Sequence, residues 1–124
     1  RAQDLTVFDL IAGQAIARDD TLALVDVATL VSAFARASVK NDDLLGMAMQ
    51  RFAHEAKASA PDLPPAAVAM VLNGFAVVGQ QDEKLWAALL PAGVIPSLGS
   101  FTNTQLALVV NSMARSSLSA EVAK

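Results

Sequence analysis

VATLVSAFARASVKNDDLL, residues 27–45, holds the reading of the whole chain. Val27, Leu30, Val31 and Phe34 fall on one stripe of a helix spanning about 22–37, at the three-and-four spacing of a buried helical face. Asn41-Asp42-Asp43 then supplies a cap and first-turn acids for a second helix. The first helix belongs to a pattern that occurs three times. It runs Leu22, Val27, Ala28, Leu30, Val31, Ala33, Phe34, Ala35, then Leu63, Val68, Ala69, Val71, Leu72, Gly74, Phe75, Ala76, then Phe101, Leu106, Ala107, Val109, Val110, Ser112, Met113, Ala114. Phe34 to Phe75 is 41 residues and Phe75 to Met113 is 38. Helical patterning at that period predicts an all-α fold, an α-solenoid of stacked antiparallel helical hairpins with a repeat of about 38–41 residues.

Working outward, segment 4–18 places Val7, Phe8, Ile11, Ala12, Ala15 and Ile16 at helical spacing, and Asp19-Asp20-Thr21 punctuates it. The second helix of the first hairpin, about 43–58, buries Leu44, Leu45, Ala48 and Phe52 and carries Gln50, Arg51, His54 and Lys57 on its other face. Pro61-Asp62-Leu63-Pro64-Pro65 breaks the chain and starts a helix over 64–78, capped by Gly79. Asp82-Glu83 opens a short helix with Leu85, Trp86, Leu89 and Leu90. Two prolines and two glycines predict a loop over 91–100, with one turn around Val94 and Ile95. Thr102 and Gln105 have capping-box spacing for the third copy, which runs to about Ser116, and Ser117–Lys124 is either a loop or the start of a next helix.

Writing A for helices that carry the pattern and B for the helices that answer them, the order is B, A-B, A-B, A. The array then divides as 1–20 (second helix of a preceding repeat), 21–60 and 61–100 (two repeats), and 101–124 (a partial repeat). Such an array is expected to be a piece of a longer protein or a mature chain after presequence removal, with further repeats or partner proteins over both apolar ends.

The composition excludes several function classes. At 54% hydrophobic residues the chain is too apolar for a disordered segment. It has no cysteine, which excludes disulfides, cysteine-based zinc sites and a thiol nucleophile, and His54 is its only histidine. A net charge of −3 argues against a strongly basic nucleic-acid-binding domain while leaving room for a local basic patch. The longest apolar stretch, 66–79, is too short to span a bilayer, so no membrane insertion is expected. Phosphate-binding glycine loops, HExxH runs and GxSxG turns are missing, and no acid, base and nucleophile stand at usable spacing. The expectation is a non-enzyme without metal or cofactor.

Opposite the apolar stripe, the A helices present Thr29, Ser32 and Arg36, then Met70, Asn73 and Val77, then Leu108, Asn111 and Arg115. Ser32, Asn73 and Asn111 are equivalent by register. A column of small polar residues, one per repeat, is how one-base-per-repeat RNA readers work, and it is equally an ordinary outer helix face. Met70, Val77 and Leu108 suit protein contacts better than phosphates, and Arg36 and Arg115 are the only cations on this face. His54 reads as solvated or partner-facing, Asp19-Asp20 and Asp42-Asp43 as capping and dipole residues, and Trp86 either as core or inter-repeat packing or as an exposed anchor for a partner.

The stretches Val27–Arg36 with Asp42-Asp43-Leu44-Leu45, and Val68–Gly79 with Asp82-Glu83-Lys84-Leu85, resemble repeats of the organellar RNA-metabolism proteins that often end in a RAP domain. Among these are the FAST-kinase-like and octotricopeptide-repeat proteins, and Leu106–Arg115 is a third, partial match. The tryptophan common in the family's first helix is replaced here by a small residue, Ser32 or Ala33. The resemblance implies a mitochondrial or other organellar protein working in RNA processing or a ribosome-like ribonucleoprotein, with RNA and neighbouring subunits as partners. The other expectation is a HEAT- or armadillo-like adaptor that binds proteins alone.

Overall fold

The computed structural model describes residues 2–59, 61–80 and 83–115, with side chains from residue 6 onward. The described residues are all-helical, with six α-helices packed against one another: α1 (Ala2–Ala17), α2 (Leu24–Arg36), α3 (Asp42–Ala56), α4 (Pro65–Val77), α5 (Glu83–Leu89) and α6 (Asn103–Arg115). A single 3-10 turn, Asp19–Thr21, joins α1 to α2.

The helix ends follow the local chemistry. At α3 the Asn41 side chain accepts the Leu44 N–H at 2.9 Å, and Asp42 and Asp43 occupy the first turn. The Thr102 hydroxyl accepts the Gln105 N–H at 3.1 Å, and the Gln105 side chain accepts the Thr102 N–H at 3.0 Å, the reciprocal box its spacing predicts. Pro65 stands at the start of α4, where a missing N–H costs nothing. At α2 the Ala23 N–H donates to the Asp26 carboxylate at 3.2 Å, half of such a box, because Ala23 has no side-chain acceptor.

Helices α2 and α4 close in the same way, one period apart. After α2 the chain turns at Ser38 with φ 59°, and after α4 at Gly79 with φ 77°. Val39 N–H donates to the Phe34 carbonyl and Gln80 N–H to the Phe75 carbonyl, both at 2.9 Å. Ser38 N–H reaches Ala35 at 3.0 Å and Gly79 N–H reaches Ala76 at 3.1 Å, completing the left-handed helix stop at both sites. The sequence signals this turn at Gly79 but not at Ser38.

Helix α4 packs between α2 and α6, and α3 packs between α1 and α5, with α2 also resting on α3. The core between these two rows holds Val27, Val31 and Phe34 of α2, Leu44, Leu45, Ala48 and Phe52 of α3, Val68, Val71, Leu72 and Phe75 of α4, and Leu85, Trp86 and Leu89 of α5. Phe8 of α1 meets Phe34 edge to face, ring centroids 4.8 Å apart. Trp86 is core, one of the two roles the sequence allows it. In α6 only Val109 and Ser112 are fully buried, and Leu106 and Met113, equivalents of Val68 and Phe75, are half-buried. The stretch that would answer α6, Ser117–Lys124, lies outside the described residues.

Residues 91–100 depart from the expected loop. A π turn, Leu90–Val94, runs on from α5, and a 3-10 segment, Ile95–Ser100, follows with a break at Ser97. Pro91 and Pro96 sit in the first positions of these turns, where their rings fit, and buried Val94 anchors the segment to the core.

Candidate binding surfaces

The nine outer-face residues remain at or near the surface. Thr29, Arg36, Val77, Asn111 and Arg115 are exposed, while Ser32, Met70, Asn73 and Leu108 are half-buried. Asn111 and Asn73 come together: the Asn111 Nδ2 donates to the Asn73 Oδ1 at 3.3 Å across the α4–α6 joint. These two register-equivalent amides therefore do lie side by side. The pairing also occupies one donor and one acceptor that a base edge would need. The Thr29 hydroxyl donates to the Val25 carbonyl of its own helix at 2.7 Å. Arg36 and Arg115 lie in the last turns of α2 and α6, and the position between them on α4 is Val77. The cations do not form a continuous track.

The joints behind this face are tight. A Cβ placed on Gly74 of α4 would stand 2.6 Å from Val31 Cγ1 and 3.4 Å from the Val31 carbonyl carbon and oxygen of α2. Ser112, one period on from Gly74, is fully buried on α6, with its hydroxyl donating to the Leu108 carbonyl at 2.6 Å. Ala33 holds the same register position on α2. At Gly74 the missing Cβ lets α4 approach α2 closely.

Arg51 has a role that its helix-face position does not reveal. Its guanidinium donates to the Asp19 carboxylate at 2.7 Å, to the Asp19 carbonyl, and to the Leu22 carbonyl at 2.5 Å. One turn on, Glu55 accepts the Asp62 N–H at 2.8 Å. One face of α3 thus holds down both connections that reach α2 and α4. Asp19 is an ion-pair partner of Arg51 in addition to opening the 3-10 turn. Asn41 makes a comparable tie, its Nδ2 donating to Asp9 of α1 at 3.1 Å.

Another face of α3 forms, with α5, a trough of about 600 Å³. Half-buried Met49 and Ala53 and the small residues Ala87 and Ala88 make its walls and floor, with Gln50, His54, Lys57 and Lys84 at the rim. The sequence shows His54 and Lys57 on one helix face. It does not show that Lys84 joins them, because α5 reaches α3 only in the tertiary structure. Among the described residues no group of three or more His, Asp or Glu side chains gathers as a metal site would need, and no helix is long and apolar enough to cross a membrane.

The first and last described helices expose large apolar residues. Leu10 on α1 is 67% exposed and Val110 on α6 is 64% exposed, although the register equivalents of Val110, Val31 and Leu72, are buried. No protein-family profile, curated protein or solved structure matches this chain.

Proposed function

We propose that this chain is a non-catalytic α-solenoid scaffold, built from hairpins α2–α3 and α4–α5 with α1 and α6 as flanking half-repeats. In this reading it holds neighbouring protein subunits in register and touches RNA only through Arg36 and Arg115. The observation that supports the reading is that local features recur at one period. Gly74 fits against Val31, Ser112 is buried one period later, and α2 and α4 stop with the same turn. The placement in an organellar ribonucleoprotein rests on the sequence resemblance alone.

A second reading, a purely protein-binding adaptor, draws support from the Asn73–Asn111 pairing and from Val77 standing between the two arginines. Titrating the chain with single-stranded RNA at several salt concentrations separates the two. RNA contact predicts micromolar binding that weakens with salt, and Arg36→Ala with Arg115→Ala should lower the salt slope by about 1.4, about 0.7 for each phosphate contact on a single strand. No binding at low salt, or a slope unmoved by the double substitution, refutes RNA contact through this face and leaves the adaptor.

A further inference from the structure

We propose that the trough between α3 and α5 is a docking site for an acidic amphipathic helix of a partner protein. Among the described residues its lining comes from α3 and α5 alone, which leaves a trough between two helices suited to one face of an elongated partner. The floor is apolar and its one long side chain is Met49, which adapts to different apolar partners. The rim carries Lys57 and His54 from α3 and Lys84 from α5, and among the described residues no aspartate or glutamate lines the trough, in a chain whose net charge is −3.

Among the described residues, the nearest acidic neighbours on the same helices stand outside it. Glu55 is turned to the Asp62 N–H, and exposed Glu83 in the first turn of α5 is not part of the lining. A helix with leucines on one face and glutamates flanking them would bury the first against Met49, Ala53 and Ala88 and set the second beside the lysines. RNA fits the site poorly, because among the described residues neither an aromatic ring nor an arginine lines it to stack a base.

The inference rests on the chain being a binding scaffold. The site lies on the opposite row of helices from Arg36 and Arg115, so RNA titration through those residues reads the scaffold's other face independently. The test uses the full isotope-labelled chain and two synthetic amphipathic helical peptides, one with glutamates flanking its leucines and one with lysine in place of each glutamate. The acidic peptide should bind and shift the amide signals of Met49, Ala53, Ala87 and Ala88. K57E/K84E should weaken it about tenfold or more and improve the lysine peptide, since two rim charges are reversed. If that variant loses helicity, H54Q/K57Q on α3 alone should still weaken the acidic peptide. Equal affinity for both peptides, amide shifts confined to α2, α4 and α6, no effect of the rim substitutions in a folded chain, or tighter binding of an oligouridylate at the same residues would each overturn the proposal.

Discussion

Replacing Gly74 by alanine tests the joint between α2 and α4. Two effects oppose each other. Alanine in a helix interior gains about 1 kcal/mol over glycine. Against this, the new Cβ would stand 2.6 Å from Val31 Cγ1, inside any real contact. Val31 is buried, and a valine in a helix has essentially one side-chain rotamer, so it has no easy way to turn aside. The Val31 backbone at 3.4 Å leaves the two helices little room to slide. Overpacking of this kind costs about 1–3 kcal/mol, so the net effect of Gly74→Ala should be a loss of about 0–2 kcal/mol where an exposed site would gain.

The sharper measurement is the double-mutant cycle with Val31→Ala. Alone, Val31→Ala removes two methyl groups from the core and should cost about 2 kcal/mol. In the double variant the alanine at 74 occupies the space the methyl leaves. The combined loss should then fall short of the sum by about 1–2 kcal/mol. Urea titration followed by far-UV circular dichroism supplies all four stabilities. A stabilising Gly74→Ala with an additive cycle would refute the close approach of α2 and α4, and with it the main support for stacked repeats.

The paired helix stops give a second prediction with opposite signs at equivalent positions. Ser38 holds φ 59° at the cost of a side chain in the left-handed region, so Ser38→Gly should stabilise by about 0.5–1 kcal/mol, whereas Gly79→Ala should destabilise by about 1 kcal/mol, both read from urea midpoints. Arg51→Ala should cost about 1–2 kcal/mol by freeing two backbone carbonyls, while Asp19→Asn, at a half-exposed ion pair, should cost less than about 0.5 kcal/mol. Equal losses would mean that the ion pair, and not the carbonyl contacts, holds the connection.

Much of the fold is legible in sequence because its signals are local. Phe34 and Phe75 recur at matching points and are both buried, the Thr102–Gln105 box forms as spaced, and Asn41 caps α3. The extent of the helical turns in residues 91–100, beyond the one expected around Val94 and Ile95, is hidden for a local reason too, since proline breaks a helix interior but suits a first turn, and sequence alone does not say which position Pro91 and Pro96 take. Long-range features were hidden. Arg51 finds its partners 29 and 32 residues earlier in the chain, and nothing in the spacing of α3 distinguishes it from His54 or Lys57. Of the candidate outer face, the register of Asn73 with Asn111 was legible, but their mutual hydrogen bond was not, because it depends on how closely α4 and α6 approach. The trough needed Lys84 to be carried across to α3, which no single-helix pattern encodes.

The matched stops after α2 and α4 bear on how such a chain can change its length. Both helices release the backbone through the same hydrogen-bonded turn, at Ser38 and at Gly79, 41 residues apart. A deletion that joined Ser38 to Gln80 would keep that turn and pass α2 directly to α5 in the position α3 now takes. A duplication of the same segment would add a hairpin through the same turn. A loss or gain of 41 residues at this seam thus leaves each remaining helix with its stop, whereas a change of another length would put the helix and its stop out of register.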